Sequence, residues 1–335
     1  MQRLIGIAIL LLSLSLGWLW MSYRGFLATP LQLPADGMVL MVDKGTNLRQ
    51  LGRKLEQQGV LSSGDMLYWH ARWHDLANRI RAGEFWIPAG STPPQLLEIL
   101  INGKTISYKL TLVEGWNFAQ VLKAIDKDEI LSHTLDTQDP NAIMARIGHP
   151  GLHPEGRFFP DTYAFPRGTT DVEFLQRAYR RMEEELAEAW SKRAQDIAVD
   201  SPEQALTLAS IIEKETGVAR EREQISGVFS RRLKRGIKLQ TDPTVIYGLG
   251  ASYDGNIRFR DLRKDTPYNT YTRSGLPPTP IAMPGLGALK AVMHPQKTEH
   301  LYFVAYGDGS GRHLFSSTLA EHEKAVDHYQ RKRKK

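Results

Sequence analysis

The sequence predicts an α+β protein with an N-terminal transmembrane helix, a small α/β module and a larger mixed α+β domain. Two observations lead to this architecture: an uncharged apolar run over residues 4–22, and a strand, glycine turn and helix pattern that recurs after residue 38. With 335 residues the chain has room for about two domains. Its composition, 41% hydrophobic and 24% charged, is typical of a folded protein.

Composition narrows the possible chemistry. The absence of cysteine excludes disulfides, thiolate metal sites and a cysteine nucleophile. The net charge of +6 comes in part from a basic tail at 331–335, which we interpret as a solvated end; since no basic patch is interleaved with aromatics, we expect no nucleic-acid partner. The C-terminal histidines do not complete a His-Glu-x-x-His pattern, so we expect surface or capping roles for them and no metal or cofactor.

The apolar run over residues 4–22 is long enough to cross a bilayer as a helix. A cleavable signal peptide is the alternative, but the run is long for one, and its Trp-Leu-Trp-Met end lacks a small-residue cleavage pattern. We therefore predict a single-pass signal anchor over 1–23 in the cytoplasmic (inner) membrane, with Trp18, Trp20 and Tyr23 at the far interface. The rest of the chain would lie in the periplasm or extracytoplasmic space, after a linker over 24–37.

A repeated pattern follows the linker. Residues 42–48, 87–93 and 112–118 each combine an apolar residue, a glycine and a helix-capping position, and each precedes an amphipathic run. The pattern predicts a strand, a glycine turn and a capped helix, repeated. Residues 38–105 resemble LysM-type modules, which bind glycans containing N-acetylglucosamine; a plain α/β spacer is the alternative.

Residues 106–330 form the predicted larger domain. Within it, residues 153–165 combine glycine, two prolines and four aromatics, which predicts either a rigid exposed loop with a ring platform for sugars or rings that plug a core edge. Helices are expected roughly over 171–193, 220–235 and 286–293, then a hairpin with a glycine-rich turn and a closing helix.

Residues 201–217 carry the signals of one mostly buried helix. Ser201 is a good N-cap, Gln204 completes a capping box, and Gly217 suits the left-handed C′ position. Glu213 and Glu215 fall on opposite flanks of the apolar face. Burial there would raise the pKa of a carboxyl group and suit it to donate a proton near neutral pH. A solvated Glu-Lys-Glu helix end is the alternative.

Five motifs stand out along the chain: Leu208–Thr216, Glu155–Tyr163, Leu239–Tyr247, Tyr268–Tyr271 and Gly275–Pro278 with Pro284–Gly285. Together they resemble the endolytic murein transglycosylase family, the YceG-like proteins, over nearly the whole chain. The resemblance implies cleavage of peptidoglycan glycan strands between N-acetylmuramic acid and N-acetylglucosamine at internal positions. It also suggests the peptidoglycan synthesis machinery as a partner.

The same resemblance implies that Glu213, the first of the pair, is the catalytic acid and then base, with the C6 hydroxyl of muramic acid closing a 1,6-anhydro ring. Glu155 and Asp161 are rivals for a second carboxylate, although turn and loop capping explains them as well. A non-catalytic peptidoglycan-binding or division scaffold, and a muramidase that uses water, are the alternative functions. The expected supporting or substrate-binding residues are Glu215, Gln240, Thr241, Asn269, Tyr163, Tyr247 and Tyr271.

Overall fold

A computed structural model describes residues 2–331. The chain divides into two compact units, Met1–Lys109 with Ala164–Thr169, and Leu110–Tyr163 with Thr170–Lys335. The predicted basic tail, 331–335, lies outside the described residues except for Arg331. The mixed α+β class is confirmed, since helices dominate and the strands form three two-stranded sheets among the described residues.

The first helix, α1, spans Gln2–Ala28 and is long and apolar enough over Ile5–Ala28 to cross a membrane. Its large apolar side chains between Ile5 and Met21 are exposed. The helix continues past residue 23, and Phe26 and Leu31, both in the predicted linker, are buried in the core of the first unit.

In the first unit, two antiparallel strands and the helices pack around a shared apolar core. This core includes Leu40 and Phe85, which are paired in register on the two strands. The apolar positions predicted on the helices, such as Leu48, Leu51 and Leu55, lie in this core. The elements are β1 (Met38–Val42), α2 (Leu48–Gln57), α3 (Gly64–Trp73), β2 (Gly83–Ile87) and α4 (Pro93–Asn102).

The repeated strand, glycine turn and capped helix is confirmed. At each repeat the glycine takes a positive φ, which an L-residue rarely adopts. Two residues after each glycine a capping box begins the helix, because the N-cap side chain and a glutamine three residues later satisfy each other's backbone N–H groups. The glycines are Gly45 (86°), Gly90 (78°) and Gly115 (78°), and the capping pairs are Asn47 with Gln50, Thr92 with Gln95 and Asn117 with Gln120.

The second unit is mainly helical, and the chain passes between the units within β3 and within β4. The predicted C-terminal hairpin and closing helix are confirmed, with Phe303 opposite Phe315 in register. The elements are β3 (Tyr108–Thr111), α5 (Phe118–Asp126), α6 (Pro140–Arg146), β4 (Thr162–Phe165), α7 (Asp171–Ser191), α8 (Pro202–Glu215), α9 (Arg222–Lys234), α10 (Asp242–Leu249), α11 (Phe259–Arg263), α12 (Leu286–Met293), β5 (Tyr302–Ala305), β6 (His313–Ser316) and α13 (Leu319–Val326), which continues as a π-helical turn, Asp327–Arg331.

The helix predicted over 201–217 is α8, and both of its ends differ in detail. Ser201 caps it as predicted, but Gln204 accepts a hydrogen bond from the Asp200 N–H (2.9 Å), so the capping box does not close on Ser201. Thr216 ends the helix in an extended conformation (φ −143°, ψ 132°). The prediction of a left-handed Gly217 is therefore wrong, because the chain leaves the helix without needing a positive φ.

The aromatic segment over 153–165 is not an exposed platform. Phe158, Phe159, Tyr163 and Phe165 are all buried, so the alternative interpretation, rings that fill a core, is the correct one. Phe158 stacks on Phe118 with ring centroids 5.3 Å apart. Packing these large rings in the core removes more apolar surface from water than an exposed loop would, and this burial is stabilising.

Gly227, in the middle of α9, lets the backbone of Gln296 lie closer to the helix than any other residue would. A Cβ atom there would collide with the backbone carbonyl oxygen of Gln296.

We expect Gly227→Ala to lower the free energy of unfolding by about 1–3 kcal/mol, because the backbone must shift to admit the methyl group. Gly217→Ala is the matched control, since nothing lies within 4 Å of a Cβ at that position. Denaturant unfolding measures both; equal effects would contradict the packing described here.

Candidate active site

The core of the second unit is built around α8. Its residues 205–212 are all buried, and the helix packs against α7, α9, α10 and α12. Because this buried stretch ends at Ile212, the last turn emerges at the edge of the core with its two carboxylates. Glu213 and Glu215 have different surroundings, as expected of residues on opposite flanks of the helix.

Glu213 lies in a charged network. Its Oε1 accepts a hydrogen bond from Arg222 Nη2 (3.1 Å), and its Oε2 accepts one from the Gly285 N–H (3.0 Å). The same guanidinium lies 3.5 Å from Glu114 Oε2. A Cβ at Gly285 would overlap the Glu114 carboxylate, so a larger residue there would displace this side chain. Glu213 is therefore a buried, ion-paired group, with 5% of its side chain exposed.

Burial raises the pKa of Glu213 above its usual value, and the nearby Glu114 carboxylate adds to the rise. The Gly285 N–H and the Arg222 charge oppose this rise, because both stabilise the ionised form. The net direction agrees with the prediction from the helix pattern.

Hydrogen bonds to backbone carbonyls hold the loop that contains Glu114 beside α8. Lys214 Nζ donates to the carbonyl of Gly115 (3.1 Å), and the Gly115 N–H donates to the carbonyl of Met283 (2.9 Å). The Met283 N–H in turn donates to the carbonyl of Trp116 (2.7 Å). The third glycine turn of the repeat is thus placed next to Glu213, at the start of α12.

Glu215 lies at an open cavity of about 500 Å³. Its Oε2 accepts a short hydrogen bond from the Thr241 hydroxyl (2.6 Å). Three of the predicted site residues, Glu215, Gln240 and Tyr271, line this cavity, and Thr241 contacts Glu215 directly. The cavity is completed by Arg232, Leu239, Asp242, Tyr302, Phe303, Val304, Ala305, His313, Leu319, His322 and Val326.

Burial also raises the pKa of Glu215. The Thr241 hydroxyl opposes the rise, as do His313 and Arg232 at longer range, whereas Asp242 adds to it. Glu215 is thus a desolvated carboxyl group beside a cavity, the environment that suits a proton donor near neutral pH.

Two loops that are distant in sequence form the wall beside Glu215. The Gln240 N–H donates to the Thr270 carbonyl (3.2 Å), and the Thr241 N–H donates to the Thr270 hydroxyl oxygen (3.1 Å). The Tyr271 hydroxyl donates to Asp242 Oδ1 (2.6 Å). Gln240 has a φ of 52°, a left-handed conformation that costs a non-glycine residue about 1–3 kcal/mol.

Asn269 braces this wall. Its side-chain amide donates to the carbonyls of Asp261, Leu262 and Lys264, and its Oδ1 accepts from the Tyr271 N–H (2.8 Å). Because the side chain is buried and fully engaged with backbone, this geometry favours a positioning role.

The partly buried Tyr247 and the buried Glu155 form a hydrogen-bonded pair. Tyr247 donates its hydroxyl proton to Glu155 Oε2 (3.0 Å), and the Phe118 N–H donates to Oε1 (3.0 Å). Burial raises the pKa of Glu155 to about 7 in spite of these bonds. Glu155 thus caps α5, as the loop-capping interpretation predicts.

Tyr163 and Asp161 lie in other surroundings. Tyr163 is buried, contacts Phe174 edge-on, and donates its hydroxyl proton to the Phe159 carbonyl (2.7 Å). Asp161 is exposed and accepts from the Thr162 N–H (2.7 Å). Both line a cavity whose other members include Arg177, and neither is among the residues at the Glu215 cavity.

Part of the cavity lining was not expected from the sequence. We expected a surface or capping role for His313, and this is wrong: its Nδ1 lies 2.9 Å from Glu221 Oε2, and both side chains are buried. Arg232 is also buried, donating to the carbonyls of Leu301 (2.7 Å) and Leu239 (2.8 Å). No local pattern links partners so far apart in the chain. Among residues 2–331, no group of three or more His, Asp or Glu side chains is placed to hold a metal ion.

Comparison with known proteins agrees with the motifs around this site. The model of the YceG-like family matches residues 40–328. The chain belongs to the YceG-like family.

Relatives of this YceG-like chain include two curated proteins called endolytic murein transglycosylase. The one from Bacillus subtilis is 30% identical over 305 residues, which are 86% of this chain and 83% of the relative. The one from Streptococcus pneumoniae is 25% identical over 319 residues, 85% of this chain and 57% of that longer protein. A crystal structure of a YceG-like protein from Listeria monocytogenes is 27% identical, with a TM-score of 0.53 over 87% of this chain and 99% of that one.

The raised pKa of Glu155 predicts a pH dependence of stability. Between pH about 4.5 and about 7 the unfolded chain loses this proton while the folded chain keeps it. The contribution of protonated Glu155 to the free energy of unfolding is therefore fully present below pH 4.5 and is lost as the pH rises through 7. The full difference is at most about 3 kcal/mol.

We expect Glu155→Gln to remove that part of the pH dependence, because an amide does not ionise. Denaturant unfolding of both detergent-solubilised chains across this range measures it. Since all other groups are shared, the difference between the two curves isolates Glu155. A difference that does not change with pH would contradict the raised pKa.

Proposed function

We propose that this chain is a membrane-anchored endolytic transglycosylase that cleaves peptidoglycan strands between N-acetylmuramic acid and N-acetylglucosamine and leaves 1,6-anhydro ends. Membership of the YceG-like family and the names of the two relatives support this activity. The structural observation that carries it is the desolvated carboxyl group of Glu215 at an open cavity whose lining includes the hydrogen-bonding side chains of Gln240 and Tyr271.

The geometry favours Glu215 over Glu213 as the proton donor. Glu215 shares its cavity with Gln240 and Tyr271, which suit the hydroxyl and acetamide groups of a sugar. Glu213 is instead paired with the buried Arg222 guanidinium, which stabilises its ionised form. We therefore propose Glu215 as acid and base and Glu213 as its support. The assignment of Glu213 from the family resemblance remains the alternative, and its own raised pKa favours it.

One carboxyl group suffices for the reaction. Protonated Glu215 donates its proton to the glycosidic oxygen, and the bond from that oxygen to C1 of muramic acid breaks. The resulting carboxylate accepts the proton of the C6 hydroxyl while the C6 oxygen bonds to C1, which closes the anhydro ring and regenerates the acid. No water is consumed, so the second carboxylate of ordinary glycosidases is not needed.

The supporting residues act on the proton donor or on the sugar. Thr241 holds Oε2 of Glu215, which leaves the acidic proton on Oε1 for the substrate. Gln240 and Tyr271 offer hydrogen bonds from the cavity wall, and Asn269 fixes the backbone of that wall. Tyr247 acts through the buried Glu155, and the burial of Tyr163 favours a packing role.

The N-terminal part of the chain adds an anchor and a glycan-binding module to the proposed enzyme. The apolar helix α1 anchors the enzyme in the cytoplasmic membrane, which keeps it near newly made strands and near the synthesis machinery. The module over 38–105, with its repeated capped helices, binds glycan in the manner of the LysM-type modules it resembles. A scaffold that only binds would create no new glycan ends, and a muramidase would create reducing ends.

We expect Glu215→Gln to lower the rate of anhydro-muropeptide release from purified sacculi by about 10²–10⁴-fold, because the amide cannot transfer the proton. Glu213→Gln should cost less, because it removes support rather than the transferred proton. Mass spectrometry of the released products measures both.

Glu184→Gln is the matched control, a surface glutamate of the same unit with 69% of its side chain exposed, and it should leave the rate unchanged. Unchanged thermal unfolding of each variant shows that the fold is kept. Loss of activity in Glu213→Gln with activity kept in Glu215→Gln would return the role to Glu213. Activity in both variants would refute catalysis by this helix end.

A further inference from the structure

A cluster of aromatic side chains lies where α1 meets α3. The ring centroid of Tyr23 is 6.1 Å from that of Trp20 and 6.2 Å from that of Trp73. Trp69 lies one helical turn before Trp73 and therefore shares its face of α3. Trp73 is 77% exposed and Trp69 is 59% exposed. Two adjacent, exposed tryptophans form a contiguous apolar patch of the kind that marks an interaction surface.

A hydrogen bond and a buried ring join α1 to the first unit beside this patch. The Tyr23 hydroxyl and His70 Nδ1 share a hydrogen bond of 2.7 Å, which ties α1 to α3. One turn later, Phe26 is buried in the core of the first unit. Because α1 continues unbroken to Ala28, the aromatic face of α3 is held at a fixed place beside the exposed apolar helix.

The composition around the patch is that of a membrane interface. Tryptophan and tyrosine are enriched where hydrocarbon meets the lipid headgroups. Trp20 and Tyr23 occupy this level on α1, directly after its exposed apolar side chains. Arg24 and Arg72 are exposed beside Tyr23 and Trp73, where they can meet lipid phosphates.

We propose that the exposed face of α3 lies in the headgroup region of the same membrane that α1 crosses, with Trp69 and Trp73 as interfacial anchors. This inference rests on the proposed membrane anchoring. The continuity of the patch with α1 identifies the occupant as the bilayer. The first unit is then fixed on the membrane surface instead of moving freely on a tether.

The absence of cysteine allows a direct test with the full chain. Arg72→Cys places an environment-sensitive fluorophore beside Trp73 and leaves both tryptophans intact. Trp86→Cys is the matched control, an exposed site on β2 of the same unit. Each labelled chain is reconstituted in vesicles of phosphatidylethanolamine and phosphatidylglycerol.

We expect the label at 72 to be quenched by lipids that carry a nitroxide near the headgroup, and to react several-fold more slowly with aqueous dithionite than the label at 86. Adding Trp69→Ser and Trp73→Ser to the labelled Arg72→Cys chain should abolish the quenching, because the anchors are lost. Both tryptophans are exposed, so these changes should leave thermal unfolding unchanged.

Flotation of the vesicles separates the two hypotheses. A chain that does not float with the vesicles refutes the anchoring by α1 itself. A chain that floats while its label at 72 stays as accessible to dithionite as the label at 86 refutes the docking of α3 alone. The patch would then be left for a protein partner.

Discussion

Burial of α8 is the constraint on which the site depends. Residues 205–212 fill the centre of the second unit, so the turn that follows lies at the edge of the core and its carboxyl groups lose hydration. An unpaired carboxylate in such a place is costly, and each of the two has partners that reduce the cost. Glu213 has Arg222 and the Gly285 N–H, whereas Glu215 has the Thr241 hydroxyl. The helix that fills the core of the second unit thus also carries the two desolvated carboxyl groups, one of which we propose as the acid.

The two carboxyl groups differ in their partners. An ion pair stabilises the Glu213 carboxylate, whereas at Glu215 one hydroxyl donor and longer-range charges oppose the effect of burial. The cavity beside Glu215 is bounded by a wall whose backbone is strained at Gln240 and secured by Asn269. Strain that the surrounding hydrogen bonds maintain is a common feature of functional sites. In the proposed reaction, Gln240 and Tyr271 of this wall offer the sugar hydrogen bonds beside Glu215.

Features coded by adjacent residues could be predicted from the sequence. Gly45 and Asn47 illustrate this, since a left-handed turn and a capping box require particular residues at fixed spacing. Contacts between distant residues could not be predicted: Thr241 lies 26 residues from Glu215, and His313 lies 92 residues from Glu221. Predictions from local residue patterns were wrong where tertiary packing determines the conformation. The aromatic rings of 153–165 are buried, and an extended Thr216 ends the helix in place of a left-handed Gly217.

The claim that one desolvated carboxyl group cleaves the strand without water is tested most directly by digestion of purified glycan in water enriched in ¹⁸O. Mass spectrometry of the new muramic acid ends then reports the source of the oxygen on C1. Attack by the C6 hydroxyl predicts anhydro ends that contain no solvent oxygen. Incorporation of ¹⁸O into reducing ends from the first time points would contradict the account and identify a hydrolase.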